Sequence, residues 1–311
     1  MITVDTSDDS DIILAGLEFA TDQYDPTSAD GEAIIIVDGG QVSMLEDGNN
    51  DHNEFLAGST LRFGTAASGQ TGLIINEDNN DILRFRGTVD VQGNAITITS
   101  GEGFTQLSDG AAFDTSDSDE DIRFEGTSSL VGSGPINVTG DANVRLFAAN
   151  AGYTGNWTIT GGQGTPRILV QTNGALGDAA SSTVTLDGTN AELRIANGVD
   201  VGNTVTFNDN ANVNQFLRWD AITPGTHSGD IVSLETQENR AILRVQNAAA
   251  TVTLNGQLSG AGGFQKDGEG TLVLTNTNNT ADNADAFRVN DGTLVIAATG
   301  ADNSFATNIY N

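Results

Sequence analysis

Asp121-Ile122-Arg123-Phe124 returns as Asn143-Val144-Arg145-Leu146, and this recurrence decides the fold. Side chains alternate across a strand, so the apolar neighbours of each arginine point one way and the arginine points the other. Eight arginines share that flanking: Arg62, Arg84, Arg123, Arg145, Arg194, Arg218, Arg244 and Arg288. A ninth, Arg86, lies one step beyond Phe85 in the same run. By residue number, the steps are 22 from Arg62 to Arg84, 39 to Arg123, 22 to Arg145 and 22 to the less well flanked Arg167. Steps of 27, 24, 26 and 44 follow. A unit of about 22 residues, with two double steps where an arginine is missing, is what stacked coils produce. A sandwich or barrel has no reason to place one outward residue at that interval.

The rest of the chain agrees. Windows with apolar residues at three-and-four spacing are few, and Gly or Asn-Asp pairs interrupt the chain again and again. Short alternating runs such as Ala95-Ile96-Thr97-Ile98-Thr99, Thr183-Val184-Thr185-Leu186 and Thr251-Val252-Thr253-Leu254 are separated by turn pairs, among them Asp187-Gly188, Asn197-Gly198, Asn255-Gly256 and Asp291-Gly292. The expected fold is all-β: a right-handed parallel β-helix (β-solenoid) of roughly 22-residue coils, running as a single unit over residues 1–311. About fourteen coils at the inter-strand spacing of ~4.8 Å would make a rod of about 65 Å.

Composition narrows the partners. The formal charge is −30, from 12 basic and 42 acidic residues, so the general surface repels nucleic acid and anionic membranes. No apolar run is long enough to cross a bilayer as a helix, and the segment from Met1 to Asp5 has neither the basic start nor the apolar stretch of a leader. With no cysteine there are no disulfides and no thiolate metal sites.

From Gly260 to Leu274 the chain reads Gly-Ala-Gly-Gly-Phe-Gln-Lys-Asp-Gly-Glu-Gly-Thr-Leu-Val-Leu. This resembles the autotransporter-associated β-strand repeat at every fixed position, and Gly292-Thr293-Leu294-Val295-Ile296 resembles its closing segment. The middle of the repeat, missing between Asn278 and Asp285, is matched earlier by Asn150-Ala151-Gly152-Tyr153-Thr154-Gly155-Asn156-Trp157 and its continuation through Ala175-Leu176-Gly177 and Thr183 to Gly188. Residues 130–300 therefore form the repeat-like part, 1–129 are divergent N-terminal coils, and 301–311 are a terminal strand and a candidate interface. The resemblance implies a β-helix exported to the bacterial cell surface or beyond. The family's membrane translocator barrel has no counterpart in this chain. Lys266, the one lysine, occupies the motif's lysine position, which marks it as architecture.

Residues for catalysis are scarce. The two histidines, His52 and His227, lie in segments that read as polar loops, and the protease-type Gly-Asp-Ser-Gly motif is absent. Carboxylates gather in turns, whereas a glycosidase needs them facing each other across one site. The chain is therefore expected to have no enzymatic activity and no cofactor. Calcium is the one candidate ion: Asp117, Asp119 and Asp121 alternate, yet Ile122 and Ser128 stand where an EF-hand loop needs Gly and Glu.

The outward arginines are the candidate binding residues. Asp121, Glu125, Glu192 and Asp220 interleave with them, so one reading is a salt-bridged, solvated face. The other is a basic track on an acidic rod that holds an anionic polysaccharide, with Phe147, Phe216 and Trp219 at hand for stacking on sugars, or the acidic loops of a neighbouring rod. The functional expectation is an extracellular structural or adhesive protein of the bacterial surface. The alternative is a subunit that self-associates through its solenoid ends into a filament. A polysaccharide-degrading enzyme is the third option.

Overall fold

In Thr183–Asp187, Val184 and Leu186 are buried while Thr183, Thr185 and Asp187 remain partly exposed. Ala95–Ser100, Trp157–Thr160, Thr204–Phe207 and Thr251–Leu254 repeat this alternation, and the structure, a computed structural model, stacks the strands in parallel. It describes strand backbone at 11–14, 17–19, 33–37, 41–44, 52–55, 59–63 and 71–76, then 82–100, 121–162, 164–208, 214–220, 222, 224–234, 240–281, 287–297 and 309–310. All strand pairs among these residues are parallel, each strand pairing with its counterpart one coil away. The protein is a β-solenoid with three walls.

Two walls run through the described length, each an eleven-stranded sheet. One presents the outward row Thr97, Asn137, Thr158, Thr185 and Thr206. The other carries the arginines. Along it, Arg123, Arg145, Leu169, Arg194, Arg218 and Arg244 stand in register, so the residue number advances by 22, 24, 25, 24 and 26 from coil to coil. A coil over this stretch thus averages about 24 residues, above the expected repeat, because corners vary in length while strands do not. Among the described residues each of these two walls has eleven strands, against the fourteen coils expected.

The third wall is made of two separate five-stranded sheets. The first ends with Ser129–Val131 and the second begins with Asp200–Val201. Between them, the ladder gives way to single backbone bonds, such as Asn150 N–H to the Gly174 carbonyl and Asp178 N–H to the Tyr153 carbonyl, and to bonds made by side chains. The Leu130 N–H donates to Asn150 Oδ1 at 2.8 Å, and Asn150 Nδ2 donates to the Ala175 carbonyl at 2.6 Å. Tyr153 and Trp157 meet edge-to-face inside, with centroids 5.4 Å apart. Trp157 Nε1 donates to the Leu176 carbonyl, and the Tyr153 hydroxyl reaches the carbonyls of Gly134 and Asn156 at 3.0 and 3.1 Å. The repeat-like segment Asn150–Trp157 is thus a corner in which side-chain polar groups replace a strand.

The core is a continuous column of inward apolar rows, including Ile122, Val144, Ile168, Leu193, Leu217 and Leu243 on the arginine wall. Aromatic rings stack between coils, as Phe85 does on Phe124 at 5.1 Å.

Candidate functional site

Six of the eight candidate arginines fall in one outward row: Arg84, Arg123, Arg145, Arg194, Arg218 and Arg244, interrupted by Leu169. The other two do not. Arg62 pairs in register with Asp90 on the first third-wall sheet, and its Nε meets the Asp90 carboxylate at 3.0 Å. Arg288 is on the arginine wall but one outward position aside, in line with Gln265 and Tyr310. Flanking by apolar residues is alike on every wall, so only register separates these two from the row. Arg167 occupies that adjacent row, aligned with Asn143 and Glu192.

Acids pin the row. Glu192 accepts from Arg194 Nε at 2.7 Å and lies 3.7 Å from Arg218 Nη1. Arg218 Nε also donates to Asp220 Oδ1 at 2.5 Å. Arg244 Nη2 meets Asp267 at 2.8 Å and its guanidinium lies 4.5 Å from the centre of the Phe216 ring. Glu125 is shared by Arg84 at 3.5 Å and Arg86 at 3.3 Å. Burial alone would raise the pKa of Glu192, but the charges of Arg194, Arg218 and Arg167 outweigh it and hold the carboxyl below its ordinary value. At Asp220 the balance reverses, and burial raises its pKa in spite of Arg218.

Arg145 and Arg218 are buried, whereas Arg84, Arg123, Arg194 and Arg244 are half-buried with faces open to solvent. Among the described residues, this row and the outward rows to either side carry eight guanidiniums from Arg84 to Arg244, counting Arg86 and Arg167. Against them, with one more strand counted at each end, the same rows hold six acidic positions by register: Glu54, Asp121, Glu125, Glu192, Asp220 and Asp267. A wall with excess positive charge on a chain of net charge −30 is a distinct electrostatic feature. Of the aromatic residues expected beside it, Phe216 lies on the outer face beneath Arg244, Phe147 is half-buried, and Trp219 is turned into the core.

Lys266 is fully buried, in the inward row after Leu217 and Leu243. Its ammonium donates to three backbone carbonyls, those of Asp267 at 2.7 Å, Gly268 at 2.5 Å and Asp291 at 3.2 Å. It closes the corner between two coils.

Over 334 aligned positions, covering 93% of this chain, the sequence is 26% identical to the Adhesin BmaC autotransporter of Brucella suis biovar 1 (strain 1330). The chain is similar to an autotransporter adhesin. It spans about a tenth of that protein's length, the aligned share being 10%. No family model matches the chain. No solved structure matches it either. The likeness agrees with the three-walled solenoid and with the repeat-like segment at Gly260–Leu274.

Elsewhere in this passenger-like solenoid the sequence reading needs correction at the histidines. His52 opens the strand His52–Phe55 and is not in a loop. His227 closes the strand Gly225–His227 with its side chain wholly inside. The signal that finds it is the alternation Gly225, His227, Gly229, Ile231, all buried, against exposed Thr226, Ser228 and Asp230. Of the calcium candidates, Asp117 and Asp119 lie outside the described residues, and Asp121 begins the strand Asp121–Phe124. Among the described residues no three His, Cys, Asp or Glu side chains gather to hold a metal ion.

Proposed function

We propose that this chain is part of the adhesive passenger of a bacterial surface protein, that it works without catalysis, and that its arginine wall holds anionic polysaccharide. The observation that carries the reading is the in-register row of guanidiniums whose positive charge exceeds the acids beside it. Four of them, Arg84, Arg123, Arg194 and Arg244, keep a face in solvent. The likeness to a protein named as an adhesin supports attachment, and hence a place at the cell surface. Arg145 and Arg218, being buried within the wall, hold it in shape and leave the contacts to the other four. Guanidinium forks suit sulfate and carboxylate groups presented along a chain, one coil per ~4.8 Å.

The test is binding of the purified chain to immobilised heparin and hyaluronate, with dextran as the neutral control. The expected result is salt-sensitive binding to the anionic polymers. It falls about thirtyfold in the Arg84→Gln, Arg123→Gln, Arg194→Gln, Arg244→Gln variant, from four exposed contacts of about 0.5 kcal/mol each. Equal retention by dextran, or full binding by the folded variant, would overturn the assignment.

A further inference from the structure

We propose that the coil around His227 is an acid-operated breakpoint, at which protonation of one buried imidazole opens that coil and the strands paired with it on the two adjoining coils, while the coils beyond them stay folded. This rests on the geometry of the core and is independent of the adhesive reading.

His227 lies in an inward row of the second third-wall sheet, between Val201 on one coil and Leu254 on the next. The row continues through Leu274 and Ile296, so among the described residues the imidazole is the one ionisable side chain in it. It has no solvent exposure, and neither Nδ1 nor Nε2 has a hydrogen-bond partner. Trp219, reaching in from the arginine wall, meets the ring edge-on at 5.9 Å, and its own Nε1 is also without a partner. A neutral imidazole is tolerated in such a place. An imidazolium carries two donors and a charge, and here finds no acceptor for either.

The charged groups nearby are committed elsewhere. Asp200, on the preceding coil, accepts from the Ser228 N–H and hydroxyl, both at 2.9 Å. Asp230 accepts from the Gln257 N–H at 2.8 Å. Arg218 and Asp220, on either side of Trp219, are paired with each other on the outer face. The strand Thr251–Leu254 brings no charge. Burial accordingly pushes the pKa of His227 down to about 4, against smaller upward contributions from Asp200 and Asp230.

Because each coil of a solenoid touches only its neighbours, a charge forced into one coil is resolved locally. The open form takes up a proton with the ordinary histidine pKa near 6.5 and the closed form only near 4. The native contribution is therefore complete above pH 6.5 and lost as the pH falls from there towards 4. Linkage gives an opening constant about twentyfold larger at pH 5 than at pH 7.

Hydrogen exchange of the full chain, corrected for the intrinsic pH dependence, tests this at pH 7, 5 and 4. Exchange is expected to rise by that factor in Asp200–Val201, Thr204–Phe207, Gly225–His227, Ile231–Ser233 and Thr251–Leu254, with Ile122 to Leu146 still protected. In the His227→Leu variant the local rise disappears. Should that variant not fold, the imidazole signals of the unmodified chain, which has only two histidines, report the same property, with His227 staying neutral in the folded form below pH 5. A rise spread evenly over all strands, an unchanged local rise in His227→Leu, or a His227 that titrates near 6.5 with no loss of protection would each overturn the proposal.

Discussion

The ammonium of Lys266 reaches across one coil to donate to the backbone carbonyl of Asp291, 25 residues further along the chain, at 3.2 Å. With the carbonyls of Asp267 and Gly268 also on the same nitrogen, the lysine ties two successive corners together from inside. Lys266→Met keeps the apolar stem but leaves these carbonyls without their donor. A loss of about 3 kcal/mol in urea unfolding is expected, in line with the cost of unsatisfied buried polar groups.

The same residue sets a pH dependence. Burial lowers the Lys266 pKa to about 8, below the 10.5 of an unfolded chain, despite Asp291 and Asp267 nearby. Between those values the unfolded chain holds the extra proton, so stability rises as the pH is raised through this window. Urea midpoints from pH 8 to pH 10 should climb in the native protein and stay flat in Lys266→Met.

Glu192 is the acid shared by three arginines of the wall, Arg167, Arg194 and Arg218. Glu192→Gln removes the charge shared by Arg194 and Arg218 and leaves buried Arg218 with Asp220 alone. Breaking a buried pair in this way costs about 3–5 kcal/mol, measurable in urea unfolding at neutral pH. In the native protein the contribution of Glu192 is present above its unfolded value of 4.5 and lost as the pH falls through its lowered folded value.

Two glycines separate architecture from spacing. A Cβ on Gly256 would lie 1.8 Å from the Gly229 carbonyl oxygen, a backbone atom of the adjacent coil that has no room to retreat. A Cβ on Gly162 would meet nothing within 4 Å. Gly256→Ala should prevent folding or cost more than about 4 kcal/mol, while Gly162→Ala should be neutral or stabilising by up to about 1 kcal/mol. Thermal unfolding of the two variants side by side is the check.

Tyr153→Phe tests the corner that substitutes for a strand. Its hydroxyl serves the Gly134 and Asn156 carbonyls within the core. The substitution should cost about 1–3 kcal/mol in urea unfolding and leave the ring contact with Trp157 intact.

The solenoid is legible in the sequence because alternation and recurrence are both local properties. Ile-Arg-Phe and Val-Arg-Leu announce an inward-outward-inward strand wherever they occur. Which wall such a strand joins, and in which register, is not local, and so Arg62 stands on another wall and Arg288 in the adjacent row although both look the same in sequence as Arg123. Solvation is equally hidden: Arg145 and Arg218 point outward, as alternation requires, but are buried there beside the neighbouring rows. His227 escapes a reading by composition because glycines flank it on its own face, and a Gly-x-His-x-Gly run looks polar although all three point inward. Lys266 is readable as structural from its motif, while its carbonyl partners belong to the corners of two coils and appear only in three dimensions.

The break in the third wall between Val131 and Asp200 has a mechanical meaning. A beam with three continuous sides resists bending in every direction, whereas one with a side replaced by corner loops yields most readily towards or away from the missing side. Over that stretch, continuous strand ladders run along two sides, and the third is spanned among the described residues by the isolated bridge from Gly132 to Tyr153, by single backbone bonds such as Asn150 N–H to the Gly174 carbonyl and Asp178 N–H to the Tyr153 carbonyl, and by side chains such as that of Asn150. The rod therefore has a built-in direction of compliance part-way along its length. A load on one end would be taken up as curvature there, before any strand elsewhere is asked to separate from its neighbour.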